Sequence, residues 1–215
     1  MLRRISLSLV LALASTSVAL AAPFTNGSFE ESPIVNTAAG YDILGPGSTA
    51  LPGWQVVRTI DHIERYWISA DGSRSLDLNG NEFEGEIFQE FDTLPNTWYR
   101  IRFAVAGNPS GGPDTKSLRV AWRSSEDDDS GHLGGQRDVD FTQAPDASQG
   151  NMGWIYYEYM FYSLGSLSSL RFTSLTHDQR YGPALDDVTV TALPEPSSMI
   201  LLGTGLVAIA CRRRR

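Results

Sequence analysis

With 215 residues, 41 % of them hydrophobic and 20 % charged, the chain is long enough for one substantial core and too apolar for a disordered protein. Its formal charge is −8, and the acidity deepens once the ends are set aside. Without Arg3, Arg4 and the four terminal arginines the 17 Lys+Arg become 11, and without Glu195 the 25 Asp+Glu become 24, so residues 22–193 carry −13. A surface of that sign repels nucleic-acid phosphates and anionic lipids, which excludes a nucleic-acid binder and favours divalent cations and neutral partners.

In chain order, Arg3 and Arg4 precede the apolar run "ISLSLVLALASTSVAL" and the A-x-A site Ala19-Leu20-Ala21, the pattern of a cleaved export signal over residues 1–21. The body, residues 22–193, then reads as short strands separated by Gly, Pro, Asn and Asp. In "WYRIRFAVAG" Tyr99, Ile101, Phe103 and Val105 alternate with Arg100, Arg102 and Ala104, which gives a strand one apolar and one largely polar face. "KSLRVAWR" repeats the pattern, "GWIYYEYMFY" is aromatic on both faces, and "LSSLRFTSL" and "ALDDVTVTAL" complete the series. No segment of useful length keeps a helical period and no βαβ alternation appears, so the fold class is an all-β sandwich or jelly roll. Two irregular stretches, "NTAAGYDILGPGSTALPG" and "SSEDDDSGHLGGQ", are expected at the rims. The acidic run Glu126–Asp129 reads as a solvated turn; a calcium loop would need spaced oxygen ligands around it. Residues 194–215 carry the triplet Pro194, Glu195, Pro196, an apolar run from about Met199 to Cys211, and four arginines. Cys211 is the single cysteine, so the body forms no disulfide and holds no thiol nucleophile.

The blocks "NGSFEES", "LPGW", "SADGSRSLDLNG", "AGNPSGGPDTKSLRV", "NMGW" and "YGPALDDVTV", in that order, resemble the bacterial exported family called choice-of-anchor C, over roughly residues 24 to 191. That family is related to a domain of unknown function in plant cell-wall proteins and is similar to the galactose-binding-like jelly roll of many carbohydrate-binding modules. The tail resembles the PEP-CTERM sorting signal. The resemblance implies a single-span sorting helix, transient membrane insertion, cutting near the triplet by an exosortase-type enzyme, and a place at the cell surface or outside it. The arginines fit a cytoplasmic stop, and the apolar run is short for a full span of about 20 residues, which suits a processed segment better than a permanent anchor. Cys211 is placed either for acylation or as an inert helix residue.

For chemistry, His62, His132 and His177 lie beside no nucleophile signature, no His or Cys pair has zinc spacing, and Gly111-Gly112-Pro113 is a turn without phosphate-loop context. Catalysis is therefore not expected. The resemblance implies a structural calcium shared by the Glu of the first block and an Asp of the last strand, here Glu30 and Asp186. Period-two alternation places Asp186 on the apolar face of Val188 and Val190, where a carboxylate must be paired or bind metal, and turns Asp187 outward; acceptance of backbone hydrogen bonds is the alternative left open. Sugar binding asks for rings to stack on a pyranose and polar groups to read its hydroxyls. Trp54, Tyr66, Trp67 and Trp154 supply candidate rings, with Asp71, Arg74 and Asn108 beside them; for each Trp, core packing competes with ligand stacking. The reading is an exported, non-catalytic module binding cell-surface or matrix polysaccharide, with a matrix hydrolase or a protein-binding structural protein as alternatives.

Overall fold

The computed structural model describes residues 23–33, 38–80, 83–124, 135–177 and 180–193, and among them it has strands and no helix. One sheet runs in the order β1 (Tyr41–Leu44), β3 (Ile60–Ile63), β4 (Ser75–Asp77), β13 (Pro183–Ala192), β8 (Thr97–Gly107), β11 (Ile155–Ser163). The facing sheet runs β10 (Gly135–Thr142), β9 (Thr115–Ser124), β12 (Leu167–Ser174), β7 (Glu86–Asp92), β2 (Gln55–Arg58), and a two-stranded ribbon pairs β5 (Asn79–Gly80) with β6 (Phe83–Glu84). Every pairing is antiparallel. From β7 onward the chain passes repeatedly between the two sheets, so sheet neighbours such as β13 and β8 are far apart in sequence; this is the jelly-roll form of the sandwich. The export signal, the acidic run Glu126–Asp129 and the tail with Pro194, Glu195 and Pro196 lie outside the described residues.

Alternation produces the core. On β8 Tyr99, Ile101, Phe103 and Val105 are buried against the second sheet, while Trp98 and Arg100 face out. Trp122 of β9 stacks with Tyr99 (5.3 Å) and Phe161 (6.1 Å), and Phe103 meets Phe172 edge-on at 5.1 Å. Each such side chain contributes on the order of 2 kcal/mol when fully buried. The first irregular stretch is not wholly irregular: its Tyr41–Leu44 pairs with Ile60–Ile63 as the edge strand β1.

Two features place the ends of the body together. The "NGSFE" block packs across the last strand, where the Val188 amide donates to Gly27 O (2.9 Å) and Trp54 Nε1 donates to Asn26 O (2.9 Å). Phe29 is fully buried with φ +59°, a left-handed conformation uncommon for a bulky residue. The second feature is a bulge in β13: pairing with β8 runs Leu185↔Val105 and Asp186↔Ala104, then resumes at Thr189↔Arg102 and Val190↔Ile101. Asp187 takes up the extra residue with φ +45°. Leu185 and Val190 thus both face the core although five positions separate them, and Asp186 points to the opposite face. The unbroken alternation that would align Asp186 with Val188 and Val190 fails at this bulge.

Candidate functional site

Asp186 is nonetheless fully buried, because the loop Ser69–Arg74 lies over it. Its Oδ2 accepts from the amides of Ala70 (2.7 Å) and Asp71 (3.0 Å), and its Oδ1 from the amide of Asp187 (2.7 Å). Glu30 holds the other end of that loop: Oε1 accepts from the amides of Ser73 and Arg74 (both 2.7 Å) and Oε2 from the Ser73 hydroxyl (2.9 Å). A Cβ on Gly72, whose φ is +59°, would come within 2.4 Å of Glu30 Oε1, so the loop wraps the carboxylate closely. Glu30 and Asp186, expected to share a calcium ion, both bind the backbone of this one loop. A calcium ion wants six to eight oxygen ligands. Here all four carboxylate oxygens already face N–H or O–H donors, and among the described residues no three His, Cys, Asp or Glu side chains gather as a metal set. The donors fit a hydrogen-bonded clasp and do not fit a cation between the two acids.

The candidate sugar ligands divide. Trp54 and Trp67 are core residues, 3 % and 5 % exposed, and Trp67 Nε1 donates to Ser75 Oγ (2.8 Å). Trp154 is half-buried, packs against the core and donates to Ile68 O (2.9 Å). Asp71 is exposed and joins the clasp through its amide, and Arg74 Nη1 reaches Glu30 O at 3.2 Å. Those five residues share no cavity among the described residues, although Trp54 borders one of about 340 Å³ beside Leu51 and Phe88. His62 is buried with Nε2 3.0 Å from Phe29 O, and burial pushes its pKa down.

Tyr66 and Asn108 do converge. They line a cavity of about 160 Å³ on the outer face of the first sheet, together with Tyr41, Asp61, Ile63, Asp77, Arg180 and Tyr181. Asp61 and Asp77 are directly opposite each other on β3 and β4. Asp77 is 1 % exposed; its Oδ1 accepts from the amides of Asn79 (2.9 Å) and Gly182 (3.0 Å), and its Oδ2 from Asn108 Nδ2 (2.7 Å). Asp61 differs, since its Oδ1 is buried without a hydrogen-bond partner. Burial pushes both carboxyls up to about 7. The rings of Tyr41 and Tyr66 meet edge-on at 5.4 Å, and the Tyr66 hydroxyl lies 2.8 Å from Ser110 Oγ, whose amide donates to Asn108 Oδ1 (2.9 Å). The pocket thus combines three tyrosines, an acceptor without a donor, and a polar rim.

Tyr41, Asp61, Asp77, Arg180 and Tyr181 are site residues that the sequence reading passed over. A signal existed for Asp77: in "SLDLNG" Leu76 and Leu78 are core, so Ser75 and Asp77 fall on the outer face. Tyr181 stands in the block "YGPALDD". Asp61, between core residues Ile60 and His62, follows the same rule, but nothing in sequence announces that its strand lies beside that of Asp77.

Comparison with known proteins bears on the whole body. The family described as "Protein of unknown function (DUF642)" matches residues 22–191, and a PEP-CTERM protein-sorting motif matches residues 192–215. Among curated proteins, Halomucin of Haloquadratum walsbyi is 27 % identical over 176 residues, which cover 80 % of this chain and 2 % of Halomucin. The protein DUF642 L-galactono-1,4-lactone-responsive gene 1 of Arabidopsis thaliana is 25 % identical over 183 residues, 78 % of this chain and 45 % of that protein. The chain therefore spans less than half the length of either relative. Among solved structures, a CBM4 module is 14 % identical with a TM-score of 0.43, covering 79 % of this chain and 99 % of that one. TmCBM61, solved with β-1,4-galactotriose, is 17 % identical with a TM-score of 0.40, covering 80 % and 94 %. A family 35 carbohydrate-binding module from Clostridium thermocellum is 16 % identical with a TM-score of 0.43, covering 76 % and 100 %.

Proposed function

We infer that this chain, which belongs to the DUF642 family, is an exported, non-catalytic protein that binds polysaccharide of the cell surface or matrix in the tyrosine-lined pocket over Asp61 and Asp77. The pocket itself carries the reading. A pyranose presents one apolar face and a ring of hydroxyl donors, and the cavity offers Tyr41, Tyr66 and Tyr181 for the first and Asp61 Oδ1 and Asn108 for the second. The sorting motif supports export, with passage of the body to the surface after an exosortase-type enzyme has acted on the tail.

The two acids with raised pKa values also favour a second reading, a glycoside hydrolase. Against it stands the fixed state of Asp77, whose carboxylate is fully engaged by Asn79, Asn108 and Gly182 and is not free to protonate a leaving group or attack a sugar. A glycan array probed with the full-length protein in detergent, followed by product analysis on every ligand found, separates the two. Binding without release of shorter sugars is expected. Tyr66→Ala and Tyr181→Ala are each expected to weaken binding about tenfold or more, the scale of 1.4 kcal/mol for one lost stacking contact, with little change in melting temperature. Array binding that survives both substitutions would move the site elsewhere, and sugar release would favour the hydrolase.

A further inference from the structure

We propose that the pocket is selective for a sugar unit bearing a protonated amine, held by Asp61 within the ring of tyrosines; this inference rests on the carbohydrate-binding reading above. The observation behind it is the unequal state of the two acids. Asp77 has three hydrogen-bond donors, and the buried Lys116 lies close enough to act on its charge, although Lys116 Nζ itself donates to Gly111 O (2.6 Å). Asp61 has no such support. Its Oδ1 is enclosed and unpartnered, its cross-strand neighbour is another acid, and like charges directly opposite repel. Among the described residues Arg180 is the only basic residue lining the pocket, and it forms no ion pair with either acid.

An enclosed carboxylate oxygen without a donor makes the ionised form costly, and burial pushes the Asp61 carboxyl up to about 7. A sugar hydroxyl would donate to Oδ1 but bring no charge. An ammonium group would donate and neutralise at once, and charge-assisted hydrogen bonds are roughly twice as strong as neutral ones. The tyrosines point the same way, because ring faces attract a desolvated cation, and Tyr41, Tyr66 and Tyr181 all border the cavity that Asp61 faces. Acid and aromatic wall together recognise a primary amine on a pyranose better than they recognise its N-acetylated form, which is neutral and bulkier.

The test is titration calorimetry of the full-length protein in detergent, with chelator present so that no metal ion contributes, using a glucosamine oligomer and its fully N-acetylated counterpart of equal length. The free-amine oligomer is expected to bind about tenfold more tightly, the difference between a hydrogen bond to a charged partner and one to a neutral partner. Added salt should weaken only that ligand. Asp61→Asn keeps the shape and removes the charge, so the preference should vanish while the weaker affinity persists. If the substitution unfolds the protein, the salt dependence of the wild type decides alone. Equal affinities, or a preference unchanged by Asp61→Asn, overturn the amine inference and leave the sugar reading standing, provided that a neutral glycan still binds through Tyr66. Failure of every glycan to bind would remove both.

Discussion

Glu30 and Asp186 come from opposite ends of the body, yet both carboxylates are spent on the backbone of the loop Ser69–Arg74. Asp186→Ala would strand the amides of Ala70, Asp71 and Asp187 around a buried side-chain position. An unsatisfied buried donor costs about 1–3 kcal/mol, so with partial relaxation the variant should lose about 3 kcal/mol in urea unfolding. Asp187→Ala removes a partly exposed ion pair to Arg102 (3.0 Å) and a side-chain hydrogen bond with Tyr156 and places Ala at a positive φ, which together should cost about 1 kcal/mol. If the clasp is complete without metal, chelator leaves the melting temperature unchanged. A fall on chelation, restored by added calcium, would put a cation back between the two acids.

At the level of strands and loops, the meeting of the "NGSFE" block with the bulged strand β13 is the contact most sensitive to a single atom. A Cβ on Gly27 would lie 1.9 Å from Val188 O, a backbone atom that cannot turn aside, whereas a Cβ on Gly45 would meet nothing within 4 Å. Gly27→Ala should therefore destabilise the protein by more than about 2 kcal/mol and Gly45→Ala by little, a contrast that thermal unfolding of the two variants measures directly. This region also marks what sequence can and cannot convey. Alternation on β8, β9 and β12 was plain in the residues, because each strand buries one face against one core. The bulge at Asp187 was not, because a single residue in the left-handed region resets the period without changing composition. The pocket was legible only in part: Tyr66 and Asn108 stood out by residue type, while Asp61 gains its meaning from Asp77 across β3 and β4, a pairing between strands that no local pattern encodes. Trp54 and Trp67 were candidates for core packing and for ligand stacking alike, since a large ring has the same signature in a core as on a surface.

Across the whole molecule, β13 joins the two poles of the sandwich. It starts at Pro183, beside the pocket residue Tyr181, and ends at Ala192, roughly 30 Å away at 3.3 Å per residue, where the Leu193 amide donates to Trp98 O (2.8 Å). Leu193, the last described residue, thus lies at the pole opposite the tyrosine-lined cavity over Asp61 and Asp77.

The outer face of the same sheet carries three acids, the buried Asp77 and Asp186 and the half-buried Asp61, and burial pushes each up to about 7 even where amide donors pull Asp77 and Asp186 the other way. In the unfolded chain these groups titrate near 4. Between about pH 4 and 7 the folded protein therefore holds protons that the unfolded chain has released. The stability they contribute is full below about pH 4 and is lost as pH rises through 7. Self-repulsion of a body at −13 acts in the same direction as ionisation proceeds. Pairs such as Asp138 with Arg119, whose hydrogen bond draws the Asp138 carboxyl below its ordinary value, oppose the trend only at more acidic pH. The melting temperature at pH 5 should accordingly exceed that at pH 8 at matched ionic strength, and Asp61→Asn, which has no proton to lose, should flatten part of that slope. A melting temperature that rises from pH 5 to pH 8 would mean that these carboxylates are ionised and paired in the folded state, and the proposed attraction of Asp61 for an ammonium group would lose its energetic basis.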